Sequence, residues 1–212
     1  MTIETSGRRP SRQYEPPLMS WEEFLAWALR QERRFEWVDG EIVEFMPDSV
    51  RHLLVVRFIF LLIHEYVEQR QLGLTLFSGL LMRLPRRPSG RVPDVTYVST
   101  ERMSRLFETY IDGPVDLAVE VVSPDSTRRD YHDKLAEYEA AGLREYWLID
   151  PLQTRAWFYV LDSAGQYQET PPGAGGIYTS TVLPGLRLRI DWLWRDQLPT
   201  VGEALADLPS DE

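Results

Sequence analysis

The chain has 212 residues and a formal net charge of −10, from 23 basic and 33 acidic side chains. That balance argues against a broad nucleic-acid-binding surface, because phosphate contacts need Lys or Arg. Cysteine is absent, which excludes disulfides and zinc–thiolate sites, while 43% hydrophobic residues suffice for one sizeable core.

Residues 1–17 are polar and proline-containing and read as a flexible arm without the apolar stretch of a signal peptide. Ser20-Trp21-Glu22-Glu23 fits a capping box, so a helix is expected to about Arg30. Asp39-Gly40 then stands between two apolar-bearing runs within residues 34–46. This dipeptide suits a type I′ turn, in which both central residues take positive φ. The resulting hairpin sets Val38 against Glu41, Trp37 against Ile42, Glu36 against Val43 and Phe35 against Glu44. Its acids read most simply as exposed.

The longest helix is expected from about Val50 to Arg70. It is apolar nearly all round its middle, which places it centrally or at a subunit interface. One small sheet would not cover it, so a homodimer is expected. Its apolar run Leu53–Ile63 is broken by Arg57 and is too short for a membrane span, which takes roughly 20 residues. A soluble, cytoplasmic protein with no membrane partner is the expectation.

Further on, Leu74–Leu84 is strand-like, residues 85–90 form a basic loop, and Val92–Ser99 is a strand carrying Asp94. Residues 101–108 suggest a short helix. Leu117–Val122 is an apolar strand interrupted by Glu120, followed by a helix from about Asp130 to Ala141 that Gly142 stops, and by a strand from Tyr146 to Ile149. Thr154–Leu161 is a strand, residues 162–176 a Gly/Pro-rich loop, and two short strands flank Pro184-Gly185. Residues 198–212 read as an acidic tail. The pattern predicts one α/β domain over residues 18–197, a mixed central β-sheet flanked by helices with an N-terminal β-hairpin.

A carboxylate on a buried strand is costly unless paired, protonated or bound to a metal. Asp94 and Glu120 both sit in apolar strand runs. Together they suit a hard divalent cation such as Mg²⁺, which accepts one or two carboxylates plus water and phosphate oxygens. Such an ion polarises a phosphodiester and acidifies a water. Lys134 is the only lysine in a chain that otherwise uses arginine. A compact ammonium beside the water would orient it and stabilise developing negative charge. Plainer readings stand beside these. Lys134 pairs with Asp130 at i−4 on a surface, Glu120 is an edge-strand acid, and Asp94 after Pro93 is a turn residue.

Val92-Pro93-Asp94, Glu120-Val121-Val122, Lys134 and Glu145-Tyr146-Trp147-Leu148-Ile149-Asp150-Pro151 resemble a bacterial family of small proteins described as restriction endonucleases. That family lies within the PD-(D/E)XK nuclease superfamily. Glu36-x-x-Asp39-Gly40, His52 and Leu183-Pro184-Gly185 add to the resemblance, which runs from about Trp21 to Ile190. It implies a restriction-endonuclease-like fold acting on DNA. Asp94 and Glu120 would be ligands of Mg²⁺, with Mn²⁺ as a substitute and the Val121 carbonyl completing the shell. The superfamily's usual lysine position holds Val122, and the resemblance implies that its role has moved to Lys134. Glu36 and His52 would be accessory residues, and Arg91, Arg128 and Arg129 would contact the phosphate backbone. The alternative is a nuclease-like scaffold serving as an interaction or regulatory module.

Overall fold

A computed structural model describes residues 18–31, 35–44, 48–86, 88–124 and 129–206, with the side chain of Arg129 left aside. The expected arm, residues 1–17, lies outside them. Helix α1 (Trp21–Ala28) starts at the capping box: Glu23 N–H donates to Ser20 Oγ at 3.2 Å, and Ser20 N–H donates to the Glu23 carboxylate at 2.8 Å. Strands β1 (Phe35–Val38) and β2 (Glu41–Glu44) pair in the expected register. Asp39 and Gly40 take φ of 48° and 91° between them, as the type I′ turn requires. Helix α2 (Val50–Arg70) is capped by Ser49, whose hydroxyl accepts from His52 N–H.

The strand expected over 74–84 is two strands in two sheets, β3 (Gly73–Phe77) and β4 (Leu81–Leu84). Ser78 and Gly79 break it at φ of 32° and 134°. The expected loop over 85–90 gives way at its end to β5 (Ser89–Arg91), at the middle of a sheet. No side-chain pattern announces that strand. Gly90 is needed because a Cβ there would lie 2.6 Å from the Trp21 ring.

After β5 come β6 (Val95–Ser99), a 3₁₀ turn (Thr100–Arg105) and β7 (Tyr110–Asp112). Strand β8 (Leu117–Val121) is followed by a π-helical turn (Arg129–Asp133) that runs into α3 (Lys134–Ala141), then β9 (Glu145–Asp150). Gly142 ends α3 in the left-handed region at φ 80°. The chain continues through β10 (Arg155–Leu161), β11 (Tyr167–Glu169), the ribbon β12 (Ile177–Thr179) and β13 (Arg187–Arg189), and α4 (Val201–Ala206). Helix α4 corrects the expected tail: Ala204 is buried in the core, and only residues 207–212 fall outside the description.

The central sheet runs β11-β10-β9-β8-β6-β3 and is mixed, with β8 and β9 parallel across the α3 crossover. The hairpin does not join it. Instead it heads a second sheet, β2-β1-β5-β4-β7. Alternation along β8 divides the core. Leu117, Val119 and Val121 pack with Val55, Ile59, Leu62 and Ile63 of α2. Ala118 and Val122 face Tyr138 of α3, Tyr146 and Leu148. Burying each large aliphatic side chain contributes roughly 1.5–3 kcal/mol. Glu120 shares the α3 face. Among the described residues no helix is long and apolar enough to cross a membrane.

Candidate active site

Strand β6 pairs antiparallel with β8, Val95 opposite Val119. One step beyond Val95, Asp94 therefore stands across from Glu120. The Asp94 carboxylate accepts from Val121 N–H at 2.7 Å. Glu120 is no edge-strand acid, since β8 lies between β6 and β9 and Glu120 is 3% exposed. Its two oxygens are held by α3: Oε1 accepts from the Tyr138 hydroxyl at 2.7 Å and Oε2 from Lys134 Nζ at 2.8 Å.

Lys134 is buried and ringed by acids. Its Nζ lies 2.8 Å from Glu120, 3.0 Å from Asp130 and 3.5 Å from Glu36. The i−4 pair with Asp130 exists, but in the interior and as one contact of three. Spacing of four residues puts Lys134 and Tyr138 on one face of α3, aimed together at Glu120. Glu36, read as an exposed hairpin acid or an accessory residue, is 1% exposed and reaches the site. Its Oε1 also accepts from Val92 N–H at 3.2 Å, and its Oε2 accepts from Arg91 Nη1 at 2.8 Å.

Arg91 is where the structure departs furthest from expectation. It is 1% exposed, and its Nε and Nη2 donate to Glu137 at 2.7 and 2.6 Å. With its guanidinium spent on Glu36 and Glu137 it does not meet a phosphate backbone. The basic run around it disperses too: Arg83 sits 3.5 Å from Asp112, and Arg86 donates to the Ala140 carbonyl. Arg128 and the side chain of Arg129 lie outside the described residues. His52 is 5% exposed beside the site, Nε2 lying 3.5 Å from Asp94 and 3.6 Å from Asp48.

Charged side chains are concentrated in this interior. Among the described residues, Glu36, Glu120, Asp130 and Glu137 meet Arg91 and Lys134 here. Burial pushes the Glu120 carboxyl well above the usual range, Lys134 only partly offsetting it. Glu36 moves down: burial opposes ionisation there, but Lys134 and Arg91 outweigh it. Burial likewise disfavours the Lys134 ammonium, yet Asp130, Glu120 and Glu36 hold it firmly protonated. Burial and the Glu120 charge keep the Tyr138 phenol protonated as well. Burial lowers His52, and its hydrogen bond and attraction to Asp94 raise it further than that.

Among the described residues, no three His, Asp or Glu side chains are gathered as a ready-made ion cage. The donor chemistry nevertheless fits a hard divalent ion: two carboxylates, Asp94 and Glu120, on paired strands. The sequence alone singles out neither Tyr138 nor Glu137 as a partner in the site. The available signal was the spacing of four residues from Lys134 to Tyr138.

Compared with models of protein families, residues 21–191 match Uma2, described as "Putative restriction endonuclease". Comparison with curated proteins gives no match. Among solved structures the chain is similar to "a putative nuclease belonging to DUF820" from Anabaena variabilis. The TM-score is 0.69 at 18% identity, covering 83% of this chain and 97% of that one. Identity at that level carries the fold alone, a mixed α/β fold. The family match spans every element that builds the site, from α1 through β13, and the chain belongs to the Uma2 family.

Proposed function

We propose that this protein is a Mg²⁺-dependent endonuclease that hydrolyses phosphodiester bonds in DNA. One observation carries the reading: Asp94 and Glu120 stand opposite each other on paired strands, and the chain's single lysine reaches Glu120 from the next helix. Asp94, Glu120 and the Val121 carbonyl would hold the ion, with Mn²⁺ as a substitute. When bound, it polarises the phosphodiester and acidifies the attacking water. Lys134 keeps Asp130 and Glu36 as counter-charges once Glu120 is engaged, and its freed N–H orients the water and opposes charge building on the phosphate. Val122, at the superfamily's usual lysine position, is 2% exposed in an apolar cluster with Tyr138 and Tyr146. Glu36 holds Lys134, and Arg91, itself fixed by Glu137, holds Glu36. His52 is an accessory group acting on Asp94.

With a net charge of −10, DNA contact is weak and steeply salt-dependent. The protein acts on DNA in the cytoplasm, as a homodimer. The deciding experiment is plasmid nicking with Mg²⁺ or Mn²⁺ by wild type, Glu120→Ala, Lys134→Ala and Lys134→Arg. Wild type nicks, and the three variants lose about 100-fold or more. Duplex DNA, single strands, RNA and small phosphodiesters compared side by side identify the substrate. One observation favours a second reading, a nuclease-like interaction module: both Glu120 oxygens are already engaged by protein donors. That reading prevails if wild type binds no divalent ion and cuts nothing that Glu120→Ala leaves intact.

A further inference from the structure

The two donors on Glu120 differ in what they lose if it moves. Lys134 has Asp130 at 3.0 Å and Glu36 at 3.5 Å in reserve. The Tyr138 hydroxyl has none: among the described residues Glu120 Oε1 is its one hydrogen-bond partner. The Tyr138 ring is 0% exposed, packed edge-on against Tyr146 at 5.1 Å and among Val122, Leu143 and Leu148. Swinging Glu120 away would leave that buried hydroxyl without its partner, which is unfavourable. Exchanging Lys134 for another cation on Oε2 strands nothing.

We infer that Tyr138 is the positioning residue of the metal-binding carboxylate. It pins Glu120 Oε1, so that Oε2 is the oxygen passed between the Lys134 ammonium and the ion. This rests on the metal-dependent reading above. In the ion-free protein Lys134 occupies the cation's side of Glu120. In the loaded protein Tyr138 keeps the carboxylate's rotamer, and Lys134 swings toward Asp130 and Glu36. The ligand's orientation then survives the exchange because one of its two oxygens never changes partner. Hydrogen bonds that orient a ligating carboxylate in this way commonly govern metal affinity by about 10–100-fold.

The test uses Mn²⁺ alone as probe, by calorimetry on the full chain, with wild type, Glu120→Ala, Tyr138→Phe and Lys134→Gln. Wild type binds and Glu120→Ala does not. Tyr138→Phe, which keeps the ring, binds about 10–100-fold more weakly. Its nicking falls at low Mn²⁺ and recovers as Mn²⁺ is raised, with KM for DNA unchanged. Lys134→Gln binds Mn²⁺ at least as tightly as wild type, since Tyr138 still holds Oε1 and the competing ammonium is gone. Thermal unfolding in EDTA separates a merely structural hydroxyl, which would lower Tm and leave the Mn²⁺ Kd alone. Equal Mn²⁺ affinity in wild type and Tyr138→Phe overturns the inference, as does loss of binding in Lys134→Gln. Absence of Mn²⁺ binding in wild type overturns the metal reading itself.

Discussion

Arg91 shows what a single side chain decides. From sequence it is one arginine of a basic run. In the fold it is a buried strut between Glu36 on β1 and Glu137 on α3, tying the second sheet to the crossover helix. Removing one member of a buried ion network leaves the others charged and unpaired, at about 3–5 kcal/mol. Arg91→Ala is therefore expected to lose that much stability in urea unfolding. Arg91→Lys recovers only part of it, because an ammonium cannot reproduce the bidentate fork. Glu36 gives a pH signature. Its folded pKa lies below the ordinary 4.5, so its contribution is present above that value and is lost as pH falls below it. Urea melts at pH 5 and pH 3.5 should show Glu36→Gln losing less stability over that interval than wild type. Asp94, Glu120 and Lys134 were legible because an acid in an apolar strand and a lone lysine are both conspicuous. Arg91 was not, since its carboxylate partners are 46 and 55 residues distant.

At the scale of elements, β9 is anchored by Glu145, whose carboxylate gathers six donors. Oε1 accepts from Trp147 Nε1 and the Tyr178 hydroxyl. Oε2 accepts from Ser180 Oγ, both the N–H and hydroxyl of Thr181, and Val182 N–H. One buried acid thus clamps the β12–β13 ribbon's connecting segment onto the central sheet. Hydrogen bonds to charged groups are worth about 1.5–3 kcal/mol each, and their donors would be left unsatisfied. Glu145→Ala should cost about 2–4 kcal/mol and raise hydrogen exchange across residues 178–182, with the capping box of α1 unaffected. Elements with local signals, such as the hairpin and α2, were readable to the residue. Strands β5, β7 and β11 were not: each has three residues, too few for an alternating pattern to emerge, and each exists because a neighbouring strand offers it hydrogen bonds.

For the whole molecule, α2 is less exposed than its composition suggested. The central sheet covers one side, and Trp192, Leu193 and Ala204 close over another. What stays open is its N-terminal outer face: Val50, Leu53 and Leu54 are 74%, 52% and 36% exposed. We propose that face as the seam of the expected homodimer. Light scattering should give a dimer at micromolar concentration, and Leu53→Glu, at an exposed position, should give a folded monomer. A wild-type monomer under those conditions rejects the dimer.

By itself the sequence determined the local chemistry: the helix caps, the Asp39-Gly40 turn and its register, and the strand–helix–strand unit carrying Glu120 and Lys134. These follow from residues a few positions apart. Tertiary structure alone decided the partitioning into two sheets, the burial of Arg91, and the closing of Glu120 between a lysine and a tyrosine. Those outcomes depend on which surfaces meet once the chain is compact. There the cost of burying charge makes carboxylates such as Glu36, Glu120 and Glu137 find partners, however far along the chain those partners lie.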